Sequence, residues 1–151
     1  MEEIIRQIGH IYRSLEFISN TEFKSMGLGN NLYAYLVRIV EQPGIIAGQL
    51  AIEMRADKTT VSRSIKKLIA MQFIEVRYET DNKKEKHLFA TEAGAVQYQH
   101  IIAEHQYSDR QLIAGLEPNE IATLKRLLHQ LDVNSYDEWQ SVRNGKERNY
   151  D

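Results

Sequence analysis

The 151-residue chain contains no cysteine, which excludes both disulfide bonding and thiol redox sensing. It has two prolines, Pro43 and Pro118, and each falls where a helix should stop or start. No apolar run approaches the ~18 residues of a membrane-spanning helix. The opening MEEIIRQIGH is acidic and amphipathic, unlike a secretory signal. A cytoplasmic protein without a membrane partner is therefore expected. There is no glycine-rich phosphate loop, and the Ser, His and Asp residues form no nucleophile motif, so an enzyme is not expected. Internal repeats and low-complexity segments are also lacking.

What is there suits one globular domain with a real core: 42% of residues are hydrophobic and 26% charged. The net charge of −2 is unevenly spread. Between Arg55 and His87 lie nine basic and five acidic residues, a surplus of four positive charges, which leaves the remainder at −6. A positive module in an acidic body attracts a polyanion at one face and repels it elsewhere.

Hydrophobic spacing divides the chain into elements. Ile4, Ile8, Ile11, Leu15 and Ile18 make a heptad-like stripe on a helix over residues 2–19, widened by Ile5 and Tyr12. Asn20-Thr21 is expected to end it, and a loop with Gly27 and Gly29 follows. Asn31 to Glu41 is apolar almost all round and belongs at the centre of the domain. Pro43-Gly44 stops it. Ile45-Ile46 is long enough only for a third short strand beside a later hairpin. Ala47 to Met54 predicts a two-turn helix, Arg55-Ala56 a turn, and Asp57 an N-cap for a helix from Lys58 to about Met71. Val61, Ile65, Leu68 and Ile69 are the expected inner face of that helix. Phe73 to Tyr78 and Leu88 to Ala90 read as strands around a long charged tip, Thr80 to Lys86.

Thr91 should cap a long helix, Glu92 to about Gly115, with Ala95, Tyr98, Ile102, His105, Asp109, Leu112 and Leu116 as its stripe. Pro118 opens the next helix, whose apolar face holds Ile121, Leu124, Leu128 and Leu131, with Leu127 beside it. A capping box from Ser135 to Glu138 predicts a short separate final helix with Trp139 and Val142, ended by Gly145. The order of short helix, turn, capped polar helix, strand, basic tip and strand is that of a winged helix-turn-helix. The fold class expected is mainly α with a small β wing. Residues 31–91 form the winged lobe, and residues 1–20 and 92–144 a helical dimerisation region intertwined with it.

A helix in the DNA major groove reads bases with short donors, acceptors and basic groups from its first turns. Lys58, Thr59, Thr60, Ser62 and Arg63 supply them, while Lys66 and Lys67, a turn later, suit phosphate. Lys83, Lys84 and Lys86 would place a basic wing on the backbone or minor groove. Backbone amides from Ala47 to Gln49 would face phosphate. The dimerisation candidates are Ile4, Ile8, Ile11, Leu112, Leu124 and Leu128.

The stretch QLAIEMRADKTTVSRSIKKLIAMQFIEVRYETDNKKEKHLFATEAG resembles the core of the MarR (multiple antibiotic resistance regulator) family. The family pattern has an LA-rich helix, a turn, a D-(K/R)-(S/T)-T-V-x-R recognition helix, a wing and an L-x-L-T-x-x-G entry to the next helix. The resemblance extends to the flanking helices and to the L-x-P-x-E start at Leu116 to Glu120. It implies a homodimer on a pseudo-palindromic operator, usually a repressor released by a small ligand. By position, Asp57 to Arg63 and Lys66 become recognition residues, and Lys83 and Lys84 stand where the family has wing arginines. Two departures stand out. Arg55 occupies a turn position commonly held by Gly. The wing carries Lys, which lacks the planar fork of Arg.

Tyr12, Tyr33, Tyr35 and Tyr98 are candidate walls of an effector pocket, with packing in the core as the competing role. His100, Glu104, His105 and Asp109 cluster along one helix. The two histidines are five apart, a poor match to the i, i+4 spacing of paired metal ligands, so neither metal nor cofactor is expected. His105 and Asp109 form a polar notch suited to fixing dimer register or sensing pH. The rival reading from another class is a winged-helix module that binds protein in place of an operator.

Overall fold

The computed structural model describes residues 2–151. The elements in chain order are α1 (Glu2–Phe23), a 3-10 turn (Lys24–Met26), α2 (Leu32–Glu41), α3 (Ala47–Glu53), α4 (Lys58–Ala70), β1 (Ile74–Tyr78), β2 (Lys86–Ala90), α5 (Glu92–Leu112) and α6 (Pro118–Arg143). The chain is mainly helical with one small antiparallel sheet, as the sequence leads one to expect. No helix among the described residues is long and apolar enough to cross a membrane. Contacts divide the chain into two compact units, Met1–Ser108 and Asp109–Asp151.

The core of the first unit collects one or two side chains from each element. Leu36 and Ile39 of α2, Leu50 of α3, Leu68 of α4, Leu88 of β2 and Ile101 of α5 are sealed from solvent. Each such burial is worth roughly 1.5–3 kcal/mol. α2 buries five of its ten residues, as its nearly continuous apolar sequence requires. β1 and β2 pair from Ile74↔Ala90 to Tyr78↔Lys86. The expected third strand is reduced to a single bridge, Ile45↔Leu88.

Several boundaries differ from expectation. α1 runs through Asn20-Thr21, because Phe23 is buried and its ring packs 5.0 Å from that of Tyr33. The Asn20 side chain instead accepts from the Asn31 amide (2.8 Å) and donates to the Asn31 side chain (2.9 Å). In α4 the inner face is Val61, Ser64 and Leu68, and Ile69 is 40% exposed. Ser64 can go inside because its hydroxyl donates to the Thr60 carbonyl (2.9 Å). α6 is continuous where a separate final helix was expected. The Ser135 hydroxyl donates back to the Asp132 carbonyl and caps nothing, and no Gly or Pro interrupts the segment. The capping box lies at the other end, between Glu117 and Glu120.

α5 begins as expected, with the Thr91 hydroxyl accepting from the Gly94 amide (3.1 Å) while donating to the Gln72 carbonyl (2.7 Å). Its buried face is Gly94 and Ile101, one position away from the stripe through Ala95 and Ile102. Gly94 sets this phase. A Cβ at that position would lie 2.0 Å from the Phe73 carbonyl oxygen. Gly94→Ala is expected to cost at least the roughly 1–3 kcal/mol of an overpacked core, measured by urea unfolding, since the obstacle is backbone.

Candidate nucleic-acid interface

α3 and α4 are joined by a tight turn with a defined hydrogen-bond pattern. The Arg55 amide donates to the Ile52 carbonyl (3.1 Å) and the Ala56 amide to the Ala51 carbonyl (3.0 Å). This is a Schellman termination, which puts its central residue in the left-handed region. That residue is Arg55, at φ +48°. α4 ends by the same device, with Gln72 at φ +62° and the Phe73 amide on the Leu68 carbonyl. α4 thus lies between two left-handed stops, neither of them glycine.

Asp57 starts α4 with both carboxylate oxygens engaged: Oδ1 accepts from the Thr60 amide and Oδ2 from the Thr60 hydroxyl, each at 2.8 Å. The backbone bond and then the hydroxyl bond hold the Asp57 pKa below its ordinary value. Thr60 therefore spends its proton on the cap and keeps only its methyl and lone pairs for any other partner. Lys58, Thr59, Ser62, Arg63, Lys66 and Lys67 are exposed, in two i, i+4 rows: Lys58–Ser62–Lys66 and Thr59–Arg63–Lys67. The first row lines a cleft of about 470 Å³ with an apolar floor that includes Val61, Ile65, Val76 and Leu88.

Lys86 belongs to that cleft and not to the wing tip. It sits in β2 opposite Tyr78, because β2 starts two residues earlier than the sequence suggests. The tip proper is residues 79–85. Lys83 and Lys84 are exposed there, and the Lys84 amide donates to the Asn82 side chain (3.2 Å) in a local turn. Ala47 and Gln49 are exposed at the start of α3, where Ile46 supplies no side-chain cap for the free amides.

The four tyrosines do not form one cluster: Tyr12 and Tyr33 lie near each other and near Glu16, whereas Tyr35 and Tyr98 face other groups. Positions 33 and 35 point to different sides of α2. Tyr35 is buried toward Ser64 and Asp57, in α4 and at its start, and Tyr33 faces Ser19 and Glu104. Burial raises the pKa of both phenols. Tyr12 is exposed on α1 and donates to Glu16 (3.0 Å), and Tyr98 donates to Glu41 (3.1 Å). A second, more open cavity lies along Arg13, Glu16, Phe17, Asn20 and Lys24, and none of the four lines it. Glu104 accepts from the Ser19 hydroxyl (3.2 Å) and the Ser108 hydroxyl, and His105 packs on the rings of Phe23 and Tyr33. No group of three metal-ligating side chains occurs among the described residues. The sequence reading passed over His87, half-buried at the wing base. It also missed Arg77, whose guanidinium bonds Glu75 and lies 4.3 Å over the Phe89 ring. Only cross-strand register brings these groups together, and register is not legible without the pairing.

A family model for the MarR family matches residues 28–86, from between the 3-10 turn and α2 to the first residue of β2. YybA of Bacillus subtilis (strain 168), an HTH-type transcriptional regulator, is 41% identical over 150 residues, covering 99% of this chain and 100% of that one. The chain belongs to the MarR family. Its architecture agrees with solved structures. A SlyA-like transcription regulator from Listeria monocytogenes is 41% identical with a TM-score of 0.93, covering 99% of this chain and 100% of its own. Another Listeria monocytogenes protein, solved with 26mer DNA, is 41% identical with a TM-score of 0.94 and the same coverage. As a MarR-family member the chain is a transcriptional regulator, and these relatives are regulators too, which agrees with the lack of a catalytic motif.

The Asp57 cap yields a test of how α4 is held. A lowered folded-state pKa stabilises above the unfolded value and is lost as pH falls through the acidic range. Asp57→Ala is expected to lower the thermal midpoint at neutral pH and to flatten its fall on acidification. Asp57→Asn, also a good cap, should keep most of the neutral-pH stability.

Proposed function

We propose that the protein is a sequence-specific DNA-binding regulator, a homodimeric repressor in the cytoplasm that binds a pseudo-palindromic operator and is released by a small-molecule effector. The observation that carries the DNA reading is the pair of exposed rows on α4, beside a lysine tip, on the one positively charged segment of an acidic chain. The Listeria monocytogenes relative solved with 26mer DNA supports it. Arg63 reads a guanine through its two-pronged guanidinium. Thr59 and Ser62 contact neighbouring bases, with Lys58 beside them and the Thr60 methyl toward thymine. Lys66 and Lys67 hold phosphate. Lys83 and Lys84 act as an electrostatic clamp, and Lys86, from within the cleft, supports the same strand. The amides of Ala47 and the side of Gln49 meet the backbone. The lobe of residues 31–91 reads, and residues 1–20 and 92–144 pair two copies.

The dimer reading rests on apolar surface. α6 buries none of its 26 residues, and Leu127, Leu128 and Leu131 are exposed. α1 exposes Ile4, Ile8, Ile11 and Ile18, and α5 exposes Leu112. Faces of this kind mark interfaces. Tyr12, Tyr33 and Tyr98 remain the candidate effector contacts. Tyr35 fits that role less well, because it is turned toward α4.

Arg63→Ala should bring affinity for selected sites down to that for random DNA, whereas Lys84→Ala should weaken both alike and reduce the salt slope by about one. Equal losses for both variants would contradict these roles. No duplex binding at low salt would favour a protein-interaction module instead. Sedimentation at micromolar concentration should give a dimer, and Leu128→Glu should shift it to monomer. A monomeric parent protein would contradict the pairing.

A further inference from the structure

The wing begins where the sheet ends. The β ladder stops at the Tyr78–Lys86 pair, and residues 79–85 continue as two limbs beyond it. An isolated two-stranded hairpin is marginal in water. One side chain, His87 of β2, one position inside that pair, reaches both limbs.

The His87 Nδ1 lies 2.9 Å from the Gly44 carbonyl oxygen. A carbonyl only accepts, so Nδ1 carries a proton in either charge state of the ring. Nε2 is therefore the atom that gains or loses one. It is shielded from solvent and has no hydrogen-bond partner among the described residues. Two carboxylates face it: Glu79 Oε1 at 3.6 Å from one limb and Glu85 Oε2 at 3.5 Å from the other. A neutral ring turns a lone pair toward two negative charges. A protonated ring turns a positive N–H toward both. Arg77, the register partner of His87, bonds Glu75. The loop 42–46 has no ionisable side chain. Glu41, at the end of α2, is held by Arg38 and the Tyr98 hydroxyl.

We propose that His87 is a protonation-operated latch that ties the two limbs of the wing to each other and, through Gly44, to the body of the lobe. Protonation draws Glu79 and Glu85 onto one imidazolium. It also cancels negative charge at the base of the tip that presents Lys83 and Lys84. Both effects favour a polyanion, so the wing grips DNA more tightly when His87 is protonated and loosens when it is neutral. The DNA part of this rests on the function proposed above, whereas the latch itself does not.

Two measurements test it. The first follows the His87 ring nitrogens and the backbone amides of residues 79–86 and Gly44 by NMR from pH 8 to pH 5.5, without DNA. The amides should move with the Nε2 titration, and Glu79→Gln/Glu85→Gln should leave the ring titrating while uncoupling them. Wing amides that stay still while the ring titrates, or a response of His87 only on adding Zn²⁺, would overturn the latch. The second measures affinity for random-sequence duplex DNA at fixed ionic strength. The wild type should bind roughly fivefold more tightly at pH 6 than at pH 8 beyond any change in His87→Gln, the size of one modest ion pair. An identical pH dependence in His87→Gln would assign the effect to other histidines and overturn the grip. Absence of DNA binding at every pH would defeat the functional reading and leave the NMR result to decide the latch.

Discussion

Two hydrogen bonds to one residue hold the wing against the rest of the lobe. The Leu88 carbonyl accepts from the Gly44 amide (2.8 Å), and the Leu88 amide donates to the Ile45 carbonyl (3.0 Å). The side chain of the same residue is sealed in the core with Leu36, Leu50 and Leu68. A two-stranded sheet has two open edges and too little apolar surface to fold alone. Pinned at Leu88, it borrows an edge partner from the loop after α2 and a core from three helices. Pro43-Gly44 makes this possible. It ends α2, and Gly44 takes a φ of +88° that lets the chain turn back alongside β2.

Much of this was legible in the sequence. The order of the helices and strands from α2 to β2 and the Asp57 cap followed from spacing, because this lobe uses local signals: a capping carboxylate, a Pro-Gly stop and alternating strands. What failed to read through depended on neighbours distant in sequence. The phase of α5 is set by Gly94 meeting a carbonyl from residue 73, so an apolar stripe drawn from periodicity alone fell one residue off. Ser64 displaced Ile69 from the inner face because its hydroxyl found a backbone acceptor. Ser135 imitated a cap while bonding backward inside an uninterrupted helix.

The candidate site divides along the same line. Its exposed rows on α4 were readable, since a polar face on a capped helix needs no partner to be seen. The tyrosines were legible only in part: helical spacing separates Tyr33 from Tyr35, but which neighbours each meets depends on packing between helices. Tyr33 and Tyr35 are two residues apart and serve different neighbourhoods.

The left-handed stop at Gln72 has a consequence for how this lobe can change over time. A side chain in that conformation costs about 1–2 kcal/mol, against roughly 0.5–1 kcal/mol for the extra freedom of an unfolded glycine. The Gln72 end of α4 therefore holds stability the fold has not drawn on. A lineage could recover it at that corner while leaving the six exposed side chains of α4 untouched. Such a margin would allow those side chains, proposed above to read the operator, to be exchanged at some cost in packing without unfolding the domain.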